Sequence, residues 1–342
     1  MTPRNLVIKT LTFDSPPRIP RHLWLLPWAE KRYPSEAASI RLQFPDDIIQ
    51  APAVYDRPLG LTGRKYTAGV YIDEWGCRFV NMEDGLMGIV HEPLIRDWSD
   101  LDHFQPPAAV LDIDREAINR FCRSTDRFVY AGSIVRPLER FQFLRTMEQS
   151  MVDVMLEEPG FTELLRRMHE HFCKEVDAWA STDVDAVFLM DDWGTQHGMM
   201  LSPEVFRKHF KPMYKDYCEI ARQHGKFVFM HSDGNIADIL PELAEVGVHA
   251  LNSQLFCMDI DRLSREMAGK ITFWGEIDRQ DILPNGTRAD ICEAVNLVYS
   301  RLHRNGGVIA QCEFGPAAKP ENIRNVFECW DEISVTRDAR GS

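Results

Sequence analysis

Four short apolar runs in the second half of the chain constrain its fold most, because each ends on residues able to hold a proton or a metal. They are 186–190 before Asp191-Asp192, 227–230 before His231-Ser232-Asp233, 271–274 before Gly275-Glu276, and 308–310 before Gln311-Cys312-Glu313. Helical patterns lie between them. Ser202-Pro203-Glu204 opens one with a cap and a first-turn proline, and Val205, Phe206, Phe210 and Tyr214 follow at helical spacing. Short strands alternating with helices predict βαβ units and a parallel sheet. At 342 residues, 44% of them hydrophobic, the chain can close that sheet into a (β/α)8 barrel of the TIM type, in the α/β class. All strands of such a barrel end on one face, so the four polar ends are expected to converge there.

The barrel is expected over residues 66–342, with 1–65 as an N-terminal arm packed on it, because Pro16-Pro17, Pro20, Pro27 and Pro34 interrupt regular elements there. Residues 66–80 alternate in part and turn between Asp73 and Gly76, which predicts a hairpin inserted at the rim. Residues 128–133 read as the first clear barrel strand. A helix is expected over 236–246, split at Pro241 and ended by Gly247, followed by a strand over 248–252.

A net charge of -13 and a pI near 5.3 argue against sequence-independent binding of nucleic acid, which needs a basic footprint. No apolar run approaches the roughly 20 residues that cross a bilayer, and the N-terminus lacks a signal-peptide core, so a cytoplasmic protein without membrane contact is expected. The eight cysteines form no CxxC pair, which favours reduced, mostly buried thiols. Only Cys312 ends a strand beside other polar groups.

His231, Asp233 and Cys312 together offer nitrogen, oxygen and sulfur, a set compatible with a three-ligand zinc site that keeps one position open. The competing reading makes His231 a hydrogen-bonded rim histidine and Cys312 a buried thiol. Adjacent carboxylates on a strand point to opposite sides, so at most one of Asp191 and Asp192 faces the pocket while the other braces a helix or loop. A carboxyl among apolar walls can act as a general acid, or can orient a ligating histidine. Glu276, after a glycine that lets the backbone pass close to a ligand, is a candidate ligand or acid. Gln196 and Gln254 are neutral hydrogen-bonding candidates for substrate. The methionines Met199, Met200, Met213 and Met230 read as core filler. Dinucleotide, P-loop and serine-hydrolase motifs are absent.

Asp191-Asp192-Trp193-Gly194, Leu201-Ser202-Pro203-Glu204, His231-Ser232-Asp233-Gly234, Trp274-Gly275-Glu276-Ile277-Asp278 and Lys319-Pro320-Glu321-Asn322 resemble the uroporphyrinogen decarboxylase superfamily, most of all its cobalamin-dependent methyltransferases. Asp73-Glu74-Trp75-Gly76-Cys77 and Pro93-Leu94-Ile95 extend the resemblance toward residue 65. The decarboxylase's N-terminal Arg/Gln run that grips its porphyrin has no counterpart here, and Cys312 stands where its GHG motif has histidine, so decarboxylation is not implied. The methyltransferases have a His-x-Cys pair and a distal cysteine as zinc ligands. By resemblance His231 and Cys312 carry over as ligands, Asp233 replaces the paired cysteine, and Asp233 or Glu276 is the third.

What this implies is a zinc-assisted methyltransferase moving a methyl group from a small methylated donor, such as a methoxylated aromatic, to cobalt(I) on a corrinoid protein. Asp191 or Glu276 would stand near the leaving oxygen. An oxygen ligand in place of a thiolate makes zinc a harder Lewis acid, suited to an ether. The alternatives are methyl transfer from the corrinoid to a thiol or folate, and a metal-free barrel with a binding role or other chemistry. A bulky corrinoid partner needs an accessible rim, and a homodimer through another face is compatible with that.

Overall fold

The computed structural model describes residues 1–340, with side chains to residue 334. Eight parallel strands form one sheet: β1 (Arg21–Leu25), β2 (Ile48–Gln50), β3 (Phe128–Tyr130), β4 (Ala186–Met190), β5 (Phe227–Ser232), β6 (Ala250–Ser253), β7 (Thr272–Trp274) and β8 (Val308–Phe314). Their order is β1-β8-β7-β6-β5-β4-β3-β2, the circuit of a (β/α)8 barrel.

β1 and β2 share no ladder. They are joined instead by the loop before β2: Asp47 N donates to Arg21 O at 2.9 Å, Arg21 N to Asp47 Oδ2 at 2.9 Å, and Leu23 N to Asp46 Oδ1 at 2.7 Å. Two carboxylates thus satisfy edge N–H groups that a neighbouring strand would otherwise take.

This corrects the reading of 1–65 as an arm, since β1 and β2 are barrel strands and 128–130 is the third. Strands of five and three residues between prolines are too short for alternation to register. Only the helix Pro3–Leu11 behaves as an arm. Thr2 caps it by accepting from Asn5 N, and it turns Val7 and Leu11 against Ile48, Phe128 and Phe229 at the N-terminal end of the barrel.

The lumen is filled by Tyr130, Phe188, Phe229, Trp274 and Ile309, all buried. Trp274 is the hub: His22 stacks on it at 5.5 Å, and Phe229 meets it edge-on at 4.9 Å. Such aromatic pairs each contribute about 0.5–1.5 kcal/mol beyond the area they bury. Met213 and Met230 are buried, as expected for core filler.

The rim hairpin forms over Gly69–Ile72 and Arg78–Asn81 and is extended by a third strand, Ile89–Val90. Arg140, buried in the helix Pro137–Arg145, ties it down through ion pairs to Asp73 and Glu74.

The helix expected over 236–246 is shorter, Leu240–Val246, with Pro241 in its first turn rather than splitting it, and the next strand starts at Ala250. Cys292 and Cys329 form a disulfide between facing helices, Arg288–Leu302 and Pro320–Arg340, with Cα atoms 5.3 Å apart, unlike the reduced thiols expected for all eight. Residues 37 apart in the chain give no sign in sequence that they will face each other. Among the described residues no helix is long and apolar enough to cross a membrane.

Candidate active site

Strands β4 and β5 lie side by side, pairing Met190 with His231, so the residues just past them meet at the C-terminal mouth. His231 Nε2 is 3.6 Å from Asp192 Oδ1 and 3.4 Å from Asp233 Oδ1, and one ligand atom of each residue lies within 4.8 Å of the others. The loop is held in place by Asp233 N, which donates to Asp192 Oδ1 at 2.9 Å, and by Gly234 N, which donates to Gln254 Oε1 at 3.1 Å.

The far side of the imidazole fixes its tautomer. Asn252 Nδ2 donates to Trp274 O, which turns Asn252 Oδ1 toward His231 Nδ1 at 2.5 Å. Nδ1 therefore carries the proton, and the lone pair of a neutral His231 sits on Nε2, facing the two carboxylates. Without a cation between them, that lone pair attracts a second proton. Burial opposes the charged ring, but the hydrogen bond and charge of Asp233, joined by Asp192 and Asn252, raise the pKa of His231 to about 9. Against the same penalty of burial, His231 and Arg279 hold the Asp233 carboxyl below the usual carboxylate range.

Arg279 organises the acids around this cluster. Its guanidinium pairs with Asp233, reaches Glu313 Oε2 at 3.1 Å and stands 3.5 Å from Glu276 Oε1. Glu276 is 2% exposed, and its Oε2 has no hydrogen-bond partner. Burial is the main reason its pKa is pushed up to about 8, with Glu313 and Asp233 adding to the rise and Arg279 opposing it. Below the cluster lies a cavity of about 730 Å³, lined in part by Trp24, Tyr130, Phe188, Met190 and Glu313. A site of this kind pairs an apolar chamber with a few convergent polar groups at its mouth.

Two of the expected site residues lie elsewhere. Cys312 faces away from the lumen: β8 alternates, so Ile309 joins the lumen core while Val308, Ala310, Cys312 and Phe314 pack into the helix layer. On the adjacent strand Leu23, level with Cys312, also faces the helices, while Trp24, level with Glu313, lines the cavity. Asp191 is likewise turned outward. Its carboxylate accepts from Leu138 N at 2.9 Å, from Glu139 N at 2.8 Å and from the Tyr214 hydroxyl, and so braces the start of the helix Pro137–Arg145. As the alternation rule requires, one of the acidic pair faces the pocket, and it is Asp192. Gln196 sits at the rim, hydrogen-bonded to Gln280, while Gln254 supports the Gly234 loop.

Asn252, Arg279, Glu313 and Trp24 also belong to the site, and the sequence pattern does not mark them. Glu313 was within reach, since it shares the parity of Ile309 and Gln311. Arg279 and Asn252 lie in a loop and a strand with no motif to mark them. Replacing Asn252 with alanine would free the His231 ring to change tautomer, so a metal bound by His231 should weaken about 10–100-fold, as read by competition with a chromophoric chelator.

A family model described as uroporphyrinogen decarboxylase (URO-D) matches residues 70–333. Among solved structures, a methyltransferase from Methanosarcina mazei aligns with a TM-score of 0.72 at 14% identity, over 97% of this chain and 99% of that one. At that identity the likeness concerns the fold. A glycosylated endo-β-1,4-xylanase from Gloeophyllum trabeum aligns less well, with a TM-score of 0.44 at 12% identity over 94% of this chain and 98% of that one. No curated protein sequence matches the chain.

Proposed function

The chain belongs to the uroporphyrinogen decarboxylase family, and on that premise we propose that it is a methyltransferase, taking a methyl group from a small, methoxylated aromatic donor and passing it to a corrinoid protein. The observation that carries this reading is the cluster of His231, Asp192 and Asp233 directly above a cavity with aromatic walls. The methyltransferase-like fold supports it.

The cluster fits a zinc ion. It offers one imidazole nitrogen with its lone pair already directed, and two carboxylate oxygens, of which the buried Asp233 Oδ1 faces His231 Nε2 at 3.4 Å. Such an ion, bound there, would act as a Lewis acid on the donor oxygen. The ligand set proposed is therefore His231, Asp192 and Asp233, with Cys312 outside it.

The chain's own residues supply the rest. The aromatic wall holds the donor ring, and Arg279 keeps Asp233 turned toward His231. As the methyl carbon leaves oxygen for its nucleophile, the C–O electron pair stays on oxygen, which then needs a proton. Glu276 is suited to give it, because burial keeps its carboxyl protonated at neutral pH. The protonated form prevails below about pH 8, so turnover should hold level up to that point and fall as pH rises through it. Glu276→Gln, which cannot donate a proton as an acid, should lose about 100-fold or more in kcat and flatten this limb.

The test of the function is a methyl-transfer assay with a methoxylated aromatic, the reduced corrinoid protein and the zinc-loaded enzyme, following the phenol released and the change in the corrinoid spectrum. Release of phenol only when both proteins are present supports the reading. No release across a panel of methoxylated aromatics would remove it.

A further inference from the structure

A second cavity, of about 340 Å³, lies outside the lumen, between the end of β3, the rim hairpin and the helices Pro137–Arg145 and Pro159–Ala180. Ile134 is the one residue that lines both this cavity and the one in the lumen. Its size is at the lower end of the range for small-molecule sites. Tyr55, Tyr71, Trp75 and Phe172 give it aromatic walls, and the carboxyl groups of Glu74 and Glu175 belong to the same lining.

Glu175 has no charged partner. It is 6% exposed, and the Ser133 hydroxyl donates to it. The base beside it is His171, whose Nε2 stands 3.9 Å from Glu175 Oε2 and is buried without a hydrogen-bond partner. Burial, with Lys174 and Arg140 adding to it, lowers the pKa of His171 to about 4, so that ring is neutral. Burial and the charge of Glu74 push Glu175 up to about 8, against Ser133 and the more distant Arg140 and Arg136.

The arginines nearby are already used. Arg140 spreads one positive charge over Asp73 and Glu74, and Arg136 pairs with Glu139 at 3.4 Å. This end of the cavity therefore carries one negative charge in excess, and a second once Glu175 ionises. Tyr55 lies in the field of both Glu175 and Glu74, which together with burial raises its pKa and keeps its hydroxyl protonated. Lys65, on the loop side of the lining, lies over the Tyr66 ring at 5.3 Å instead of pairing with either carboxyl. Uncompensated carboxyl groups among aromatic faces are the chemistry that recognises an ammonium ion.

We propose that this cavity binds a small organic amine as its ammonium ion, the nitrogen held by Glu175 and Glu74 and the apolar body packed against Tyr55, Tyr71 and Phe172. The site is separate from that of the methyl donor and does not depend on the methyltransferase reading. Glu175 ionises as the ammonium ion enters, and its proton leaves to solvent.

The experiment measures binding of benzylamine, uncharged benzyl alcohol and benzoate to the full chain by calorimetry at pH 7, in two buffers of different ionisation enthalpy. The wild type should bind the amine about tenfold or more tightly than either of the others, the worth of one charge-assisted pair, and should release about one proton per amine bound. In Glu175→Gln, which keeps the shape and the Ser133 contact, both the preference and the proton release should vanish. Asp233→Ala, which alters the acidic cluster at the mouth, should leave both unchanged. No binding of the amine, a preference for benzoate, or binding by the wild type without proton release would each overturn the proposal, as would a preference that survives in Glu175→Gln or is lost in Asp233→Ala.

Discussion

Wild-type protein purified without chelator should hold about one zinc per chain, His231→Ala should hold none, and Cys312→Ala should keep it. The contrast follows from the two faces of the barrel strands. His231 Nε2 looks toward Asp192 and Asp233 at the mouth, whereas Cys312, two residues before the end of β8, packs among helices. Asp192→Ala and Asp233→Ala each remove one oxygen donor and should lower the zinc content, with Asp233 the more severe because its carboxylate is also fixed by Arg279. Cys312→Ala leaves a small cavity in the helix layer and should cost about 1–2 kcal/mol of stability with no change in metal. Elemental analysis of the four variants checks this. Zinc lost on removing Cys312 and kept without Asp233 would mean that β8 presents its other face to the lumen.

The second large effect is expected at Asp191, and it is one of stability. This carboxylate accepts two backbone N–H groups and the Tyr214 hydroxyl, and Tyr214 in turn accepts from Trp193 Nε1 at 3.0 Å. Alanine at this position leaves three donors without an acceptor where water does not reach. At roughly 1–3 kcal/mol for each buried unsatisfied group, with partial relaxation, Asp191→Ala should destabilise the fold by about 3–5 kcal/mol. Urea unfolding followed by circular dichroism measures it. Asp192→Ala, at a half-exposed position, should change stability far less while removing metal. If Asp191→Ala unfolded at the same urea concentration as wild type but lost activity, the bracing role would be wrong and a catalytic one restored.

Much of the architecture is legible in the sequence. The apolar runs ending at Met190, Met230 and Trp274 are strand sequences because they are short, rich in β-formers and bounded by turn residues, and they place Asp192, His231 and Glu276 at one mouth. The rule that neighbours on a strand face opposite ways limited the Asp191-Asp192 pair to one pocket member. It could not say which, because that depends on where Leu138 and Glu139 present their N–H groups, some fifty residues away. β1 and β2 escaped notice because three to five residues carry too little pattern, yet they bring His22 and Trp24 into the lumen.

What the sequence determined alone is therefore the fold class, the strands ending at Met190, Met230 and Trp274 and the mouth to which their polar ends belong, since all of these follow from local periodicity and from the parallel connection of successive units. What only the tertiary structure decided is which of two adjacent side chains faces inward, and which residues from distant loops, such as Arg279 and Asn252, complete the cluster. The reason is physical. A strand of a parallel barrel is buried on both faces, by lumen and by helices, so both sets of alternating residues are apolar. Ile309, Gln311 and Glu313 are distinguished from Val308, Ala310 and Cys312 only once the neighbouring strands and helices are in place.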